Sequence, residues 1–317
     1  MEWYWILLIV LGSVAVFALL SGVIMVFITA YIIFSKQLVR TSKNKWGRAC
    51  SAPENEEQMQ MWNISLTWAE KEKQYKEEVH IVNDNLNLYG EFYNFGSKKT
   101  VIIMPGRCES LRYSCFYAEP YHELNINVLV IDSRAHGISD GKYNTAGIFE
   151  SRDVMAWIRF LHDEKGQEGI YAHCICIGGS AALMAAVNSE SPSYFKGIVF
   201  DGLFYSFKET FANHQVALGH RLFPVFNLIW FWFRVKTGVS INKSFPYLYL
   251  PELTIPVVFL YGKKDIYSLP ERSELLFKSC GSKNKQIVWF ENGAHSHLRL
   301  NNLLEYDQAV ADFFLKH

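Results

Sequence analysis

Cys176 stands where residue types and spacing best support chemistry. An apolar run at 170–172 precedes it, and a stretch of small and apolar residues begins at Gly178. This pattern predicts a buried strand that turns sharply into a helix, with Cys176 at the turn. Because a helix N-terminus stabilises a thiolate, and thiols are strong nucleophiles, the position favours covalent catalysis. A purely structural thiol is the alternative.

The elements that must position this thiol are visible along the rest of the chain. Unbroken apolar runs, each followed by a polar or glycine-bearing turn, occur at 101–104, 128–131, 170–172, 198–200, 257–260 and 287–290. Such runs indicate strands buried on both faces, as in a parallel sheet covered by helices. Helices are expected between several of them, at 148–162, 179–188 and 270–280, and at the end of the chain, at 302–316. The sequence therefore predicts a doubly wound α/β domain over residues 77–317, opened by a hairpin at 79–92.

One gap between predicted strands is too long for a simple crossover. About 50 residues, 203–254, follow the strand that ends at Asp201, so we expect a cap inserted there. Within it, 222–233 is apolar except for Pro224 and Asn227, and a helix of that length is about 18 Å long, too short to span a bilayer. Such a helix can pack on the sheet, line an acyl-chain pocket or lie in a membrane interface.

The segment 171–183 resembles the nucleophile elbow of the α/β-hydrolase family, whose pattern is G-x-S-x-G. Cys176 stands in the nucleophile position and Gly178 in that of the second glycine, whereas Cys174 stands where the first glycine is usual. The resemblance covers residues 77–317 and implies the α/β-hydrolase fold. The chain is most similar to membrane-anchored serine hydrolases of this family, with an N-terminal span before the hydrolase body.

The resemblance implies a triad in the chain order nucleophile, acid, histidine. Asp265 and His295 each follow a buried strand at the places of the acid and the base. His295 would take the proton from Cys176 and later activate water, while Asp265 would orient and stabilise the imidazole. Asp201 also ends a strand and competes for the acid role, and His297 is the fallback base.

The resemblance also assigns two backbone N–H groups to an oxyanion hole. One belongs to Ile177, directly after the nucleophile, and the other to Arg107, in the loop 104–110 that follows the third strand. The side chain of Arg107 either binds an anionic group of a substrate or is a solvated loop residue. A zinc site around His173 lacks further ligands at suitable spacing, and no glycine-rich phosphate loop occurs, so no metal or cofactor is expected.

The N-terminus predicts a membrane anchor. No charged residue occurs from Trp3 to Ser35, and a helix of that length exceeds the roughly 30 Å of a hydrocarbon core. Glu2 takes the place of a positive leader, and the apolar run is about twice as long as the core of a signal peptide, which favours a retained anchor over a cleaved one. We predict a transmembrane anchor at 1–35 and a basic juxtamembrane linker with an amphipathic helix at 36–76.

Charge and cysteine content predict the compartment. The basic residues that follow the anchor, with no acid among them, are Lys36, Arg40, Lys43, Lys45 and Arg48. The positive-inside rule therefore places the body in the cytoplasm, where its six cysteines would be free thiols. With 50% hydrophobic residues and 31 basic against 31 acidic side chains, the chain is not disordered, and nothing in its charge suggests nucleic acid as a partner.

The leading hypothesis is a membrane-anchored hydrolase that cleaves an ester or thioester through a thioacyl-enzyme on Cys176. The anchor and the apolar insert favour a small-molecule or lipid-like substrate with an acyl chain. The second hypothesis is an acyltransferase with the same nucleophile, since the elbow cysteine is similar to that of bile-acid amidating acyltransferases and polyester synthases. The third is a non-catalytic binding protein of this fold, which the missing first elbow glycine favours.

Overall fold

An eight-stranded, mostly parallel sheet forms the centre of the protein. The computed structural model describes residues 2–317. In chain order the strands are β1 (Lys76–Asn83), β2 (Leu86–Tyr93), β3 (Lys99–Met104), β4 (Asn127–Ile131), β5 (Gly169–Ile175), β6 (Phe195–Asp201), β7 (Val257–Gly262) and β8 (Lys285–Phe290). They lie side by side in the order β1-β2-β4-β3-β5-β6-β7-β8, with β2 antiparallel to both of its neighbours and all other pairs parallel. The predicted doubly wound sheet with a leading hairpin is confirmed.

Both faces of the sheet are covered, which explains why the strands are apolar throughout. Along β3, Val101 and Ile103 belong to the core cluster on one face, and Ile102 and Met104 belong to the cluster on the other. Successive side chains of a strand point to opposite faces, so a strand that is apolar at every position needs a packed layer on each side.

Helices supply these two layers. The helices of the chain are, in order, α1 (Trp3–Leu38), α2 (Glu56–Lys71), α3 (Leu111–Ser114), α4 (Glu119–Glu123), α5 (Glu150–Asp163), α6 (Ile177–Ala186), α7 (Phe207–Ala217), α8 (Phe226–Thr237), α9 (Pro246–Tyr249), α10 (Pro270–Ser279), α11 (Leu298–Asn301) and α12 (Leu303–Lys316). Residues of α5, α6 and α10 join the core on one face, and residues of α2, α4 and α12 join it on the other. The four helices expected from the sequence are α5, α6, α10 and α12, with ends shifted by two residues at most.

The segment between β6 and β7 forms the expected helical cap, with α7 and α8 as its longest helices. The predicted helix at 222–233 begins later, at Phe226, because Pro224 cannot donate a hydrogen bond and precedes the first turn. It ends at Thr237, and the next residue, Gly238, has a φ of 76°, which suits a helix C-cap.

The cap helix α8 packs against α1. Ile229 and Phe233 share an apolar cluster with Phe34 of α1. The indole Nε1 of Trp232 donates a hydrogen bond to the carbonyl of Phe27 at 3.1 Å. One face of the helix is therefore buried, as one interpretation expected, but it packs on α1 and not on the sheet. Phe231 and Val235 of the same helix are exposed.

The helix α1 has an exposed part and a part that contacts the body. Every residue from Trp3 to Met25 is exposed, and contact with the body begins at Val26. Within residues 2–317, α1 is the one helix long and apolar enough to cross a membrane. Its exposed part is about 35 Å long, close to the roughly 30 Å of a hydrocarbon core.

The basic segment after α1 lies against the body. The Nζ of Lys45 donates to three carbonyls at the end of α1, at 2.5 to 3.0 Å, and so caps the helix. Arg40 donates to two carbonyls of a loop that follows β4, and Arg48 pairs with Asp132 at 3.0 Å. The region interpreted as a linker, 36–76, thus packs on the body, and α2 within it does the same.

Candidate active site

The chain turns sharply from β5 into α6 at Cys176. Its backbone has φ 51° and ψ −105°, a strained conformation for a residue with a side chain. The N–H of Cys176 donates to the carbonyl of Asp201 at 2.8 Å, which holds the turn to the neighbouring strand. A Cβ at Gly178 would lie 2.9 Å from the Cβ of Met104, so only glycine fits there. The turn expected from the sequence is present.

Cys174, two residues before the turn, departs from the elbow pattern and is accommodated by the core. Cys174 is fully buried in the apolar cluster that also contains α6, and burial raises the pKa of its thiol well above the usual value. A thiol that resists ionisation in this way is a packing residue. The ring nitrogens of His173 are both hydrogen-bonded, to the hydroxyls of Tyr121 at 2.8 Å and Tyr306 at 2.9 Å, and are not available to a metal.

Asp265 is joined to His295 by a short hydrogen bond. The Oδ2 atom of Asp265 lies 2.6 Å from Nδ1 of His295. Its Oδ1 atom accepts hydrogen bonds from the backbone N–H groups of Tyr267 at 2.7 Å and Ser268 at 2.8 Å. Burial opposes ionisation of Asp265, but the charge of His295 and these hydrogen bonds lower the pKa of the carboxyl below its usual value.

The other ring nitrogen of His295, Nε2, is buried and has no hydrogen-bond partner within residues 2–317. A pocket of about 190 Å³ is lined by His295, Cys176 and Arg107. Burial alone would lower the pKa of His295, but the carboxylate of Asp265 and the neighbouring side chain of Cys176 raise it well above the usual value. Gly202, at φ 65°, makes room for the ring, since a Cβ there would lie 2.9 Å from Cε1 of His295. The imidazole therefore has one nitrogen oriented by a carboxylate and one open to a proton donor.

The competing acid, Asp201, has a different partner. Its Oδ2 accepts a hydrogen bond from the hydroxyl of Tyr306 at 2.7 Å. Complete burial raises the pKa of its carboxyl to about 7. Asp201 thus supports the turn through its backbone carbonyl, and the carboxylate paired with His295 is that of Asp265.

The fallback base, His297, has both ring nitrogens occupied. Its Nδ1 lies 2.7 Å from Oε2 of Glu57, and its Nε2 lies 2.8 Å from Oε1 of Gln58. Both partners belong to α2. His297 lines the pocket, but both of its ring nitrogens are paired, whereas Nε2 of His295 is unpaired.

The sequence did not point to Glu109 or Gln58, which also line the pocket. The Oε2 of Glu109 accepts a hydrogen bond from the N–H of Gly106 at 3.0 Å, and its Oε1 accepts one from Nε2 of Gln58 at 2.9 Å. Burial raises the pKa of the Glu109 carboxyl. The spacing from Gly106 to Glu109 was a local signal that could have been used, whereas Gln58 lies about 50 residues away in the sequence and carries none.

Of the two residues predicted to form an oxyanion hole, Arg107 lines the pocket, and Ile177 directly follows Cys176, which lines it. Ile177 is the first residue of α6, so its N–H has no acceptor within the helix. Arg107 lines the pocket, while its Nη1 donates to Oε1 of Gln37, in the last turn of α1, at 3.0 Å. The guanidinium therefore binds to α1. It is not a solvated loop group, and it does not point wholly into the pocket.

A cation site is not supported by the side chains around the pocket. Within residues 2–317, the acidic and histidine side chains close enough to share a metal ion are Glu72, Glu119 and His122. They do not line the pocket, and the ammonium of Lys71 contacts Glu72 at 3.2 Å and Glu119 at 3.1 Å. The ammonium of Lys71 therefore already supplies a positive charge to these carboxylates.

Several known proteins are similar to the chain in sequence, although no family model matches it. It is 27% identical over 220 residues to the uncharacterized protein YqkD of Bacillus subtilis, covering 68% of the chain and 70% of YqkD. It is 26% identical over 198 residues to the protein bem46 of Schizosaccharomyces pombe, covering 62% and 60%. It is 21% identical over 244 residues to the uncharacterized membrane protein YNL320W of Saccharomyces cerevisiae, covering 76% and 80%.

Solved structures match the fold over nearly their full length. An esterase of Pyrococcus furiosus superposes with a TM-score of 0.64 at 22% identity, covering 78% of this chain and 93% of the esterase. A monoacylglycerol lipase of Paleococcus ferrophilus gives a TM-score of 0.54 at 21% identity, covering 73% and 99%. Likeness at such low identity is a likeness of fold. Together with the strand order and the turn at Cys176, it shows that this chain is a protein of the α/β-hydrolase fold.

Proposed function

We propose that the protein hydrolyses an ester or thioester through a thioacyl-enzyme on Cys176. The observation that carries this proposal is the His295 ring, which is bound to Asp265 at 2.6 Å on one side and has an unpaired nitrogen on the other. That ring lines the same pocket as Cys176. A nucleophile at a strained turn, a base with a free nitrogen and a carboxylate that orients the base are the parts that acyl transfer requires.

In the first half of the reaction, Nε2 of His295 accepts the proton of the Cys176 thiol as the sulfur attacks the acyl carbon. The N–H groups of Ile177 and Arg107 stabilise the negative charge that develops on the carbonyl oxygen. When the tetrahedral intermediate collapses, the bond from the acyl carbon to the leaving oxygen or sulfur breaks. The leaving alcohol or thiol takes the proton from His295, and a thioester on Cys176 remains.

In the second half, His295 takes a proton from a water molecule that attacks the thioester carbon. The carbon–sulfur bond then breaks, the Cys176 sulfur recovers the proton, and a carboxylic acid is released. The contact of Asp265 with Nδ1 of His295 at 2.6 Å supports this sequence, because the carboxylate stabilises the imidazolium that each half-reaction forms.

The test compares full-length protein with its Cys176→Ala variant, using short p-nitrophenyl esters and acyl thioesters. Activity in the parent and its loss in the variant are expected, together with an acyl adduct on the Cys176 peptide in mass spectra of a quenched reaction. Cys50→Ala is the matched control, since Cys50 is another partly buried free thiol that does not line the pocket. Equal turnover by the parent and Cys176→Ala would contradict the proposal.

The fate of the thioacyl group separates hydrolysis from acyl transfer. If the reaction is hydrolysis, the free acid is the sole acyl product when an amine or alcohol acceptor is added in excess. An amide or a new ester would instead assign the transferase reaction to the same cysteine. Failure of Cys176 to accept any acyl group would favour the non-catalytic binding protein. The observation that supports this alternative is the bulk of Cys174, which stands in place of a glycine before the turn.

We also propose that α1 anchors the body to a membrane, with the body on the cytoplasmic side. The exposed apolar part of α1 has the length of a transmembrane segment, and one relative is described as a membrane protein. The basic residues that follow α1 favour the cytoplasmic side. A cysteine introduced at exposed Lys283 tests the orientation: an impermeant thiol reagent added to intact cells should not label it, and labelling would contradict this orientation.

A further inference from the structure

A cavity of about 590 Å³ lies between α1 and the cap. Its walls are mostly apolar, with Ile32 and Ile33 of α1 on one side and Leu222, Phe226 and Ile229 of the cap on the other. It is about three times the size of the pocket that contains Cys176, and the two have no lining residue in common. The cavity is therefore a site of its own.

The cavity begins where α1 leaves its exposed segment. Contact of α1 with the body starts at Val26, and the wall of the cavity on α1 starts at Thr29, about one helical turn further. With the exposed segment in the hydrocarbon core, this wall lies at the headgroup level. Phe223 stands at the rim with 90% of its surface exposed, as expected for a side chain covered by lipid and not by water.

Positive charge also lines the cavity. Lys36 and Arg221 line the cavity, and none of the lining residues that the structure describes is acidic. Apolar walls together with two cationic side chains complement a molecule that has a hydrocarbon chain and an anionic head. At the membrane surface, this combination is that of an anionic lipid, and basic side chains near the surface attract such lipids.

Two side-chain contacts connect the wall of the cavity to the wall of the catalytic pocket. Gln37, which lines the cavity, accepts the hydrogen bond from Arg107, which lines the pocket. Phe226 of the cavity lies beside Phe211 of the pocket, with ring centroids 6.5 Å apart. An occupant of the cavity therefore touches side chains that hold the wall of the catalytic pocket.

We propose that this cavity binds one acyl chain of an anionic membrane lipid, with the headgroup phosphate between Lys36 and Arg221. The proposal rests on the proposed membrane anchoring of α1 but not on the reactivity of Cys176. The two can therefore fail separately: binding is measured on the Cys176→Ala variant, which lacks the proposed nucleophile.

The experiment uses full-length Cys176→Ala protein reconstituted in phosphatidylcholine vesicles. These contain a trace of phosphatidylglycerol that carries a photoreactive group at the end of one acyl chain. We expect crosslinks to peptides of α1 and the cap that line the cavity, and weaker labelling there by a phosphatidylcholine probe with the same chain. Glycerol phosphate added in excess should not reduce the labelling, since the acyl chain supplies much of the affinity.

Three variants test the site. Ile33→Trp and Ile229→Trp fill the cavity from opposite walls, and Val14→Trp adds the same bulk to the exposed part of α1 as a control. The double variant Lys36→Gln with Arg221→Gln should lower labelling by phosphatidylglycerol about tenfold or more, whereas Arg159→Gln with Lys283→Gln, outside the cavity, should not. Unchanged labelling in both filled variants, or equal labelling by the two lipids, would overturn the proposal.

Discussion

The carboxylate of Glu109 accepts a hydrogen bond from the backbone N–H of Gly106 at 3.0 Å, directly before the proposed oxyanion donor Arg107. The same carboxylate accepts a hydrogen bond from Gln58 of α2 at 2.9 Å. In turn, Oε1 of Gln58 lies 2.8 Å from Nε2 of His297. A helix from the N-terminal region thus supports the loop of the candidate active site through a buried acid.

Glu109→Gln should therefore weaken catalysis. A glutamine cannot accept hydrogen bonds from both donors with the same geometry, so the Gly106–Arg107 backbone is held less well. We expect kcat to fall about 10- to 100-fold with little change in KM, somewhat less than the loss of an entire oxyanion donor. Steady-state kinetics on a p-nitrophenyl ester measure both constants. Glu123→Gln, at an exposed position, is the control, and an unchanged kcat in Glu109→Gln would contradict a positioning role.

Asp265→Asn should lower kcat far more than Asp201→Asn. The carboxylate of Asp265 holds Nδ1 of His295 at 2.6 Å, and an amide in its place allows the wrong tautomer of the imidazole. We expect a loss of about 10³- to 10⁴-fold for Asp265→Asn. For Asp201→Asn, whose carboxylate contacts Tyr306, we expect a change of only a few-fold. The reverse order of the two variants would assign the acid role to Asp201.

The buried carboxyl of Asp201 should make stability depend on pH. Its pKa in the folded protein is about 7, against 3.8 without the fold, so the folded state retains this proton over that range and the unfolded state does not. The free energy of unfolding should therefore fall as pH rises from 4 to 7, by an amount on the order of 4 kcal/mol from this group, and level off above.

Denaturation of the detergent-solubilised parent and of Asp201→Asn at a series of pH values isolates this contribution. The free energy of unfolding of the parent, relative to that of Asp201→Asn, should fall as pH rises to about 7. A difference that is constant from pH 4 to 8 would show that Asp201 is ionised in both states.

Gly178→Ala should destabilise the turn after Cys176. A Cβ at this position would lie 2.9 Å from Cβ of Met104 and 3.2 Å from its carbonyl oxygen. We expect a loss of about 1–3 kcal/mol in stability, as for an overpacked core site, together with a loss of activity. Gly169→Ala, at the start of β5, where an added Cβ would have its nearest neighbour at 3.5 Å, is the control and should change both little. Equal stability of the two variants would contradict the packing argument.

Local features of the sequence determined much of this structure. Unbroken apolar runs predicted the parallel strands, because a strand between two helical layers must be apolar on both faces. The sharp turn at Cys176 was predicted for a similar reason, since a strand, a small residue and a helix adjoin there in the chain. The apolar length of α1 likewise depends on composition alone.

The tertiary structure decided which distant groups meet. The choice between Asp201 and Asp265 depends on the paths of two loops, and no local pattern distinguishes two carboxylates that each end a strand. The packing of α8 on α1, and the reach of Gln58 to Glu109, bring together residues separated by long stretches of chain. Propensities act over a few residues, whereas such contacts follow from how whole layers pack, so the sequence by itself predicted the elements but not these partners.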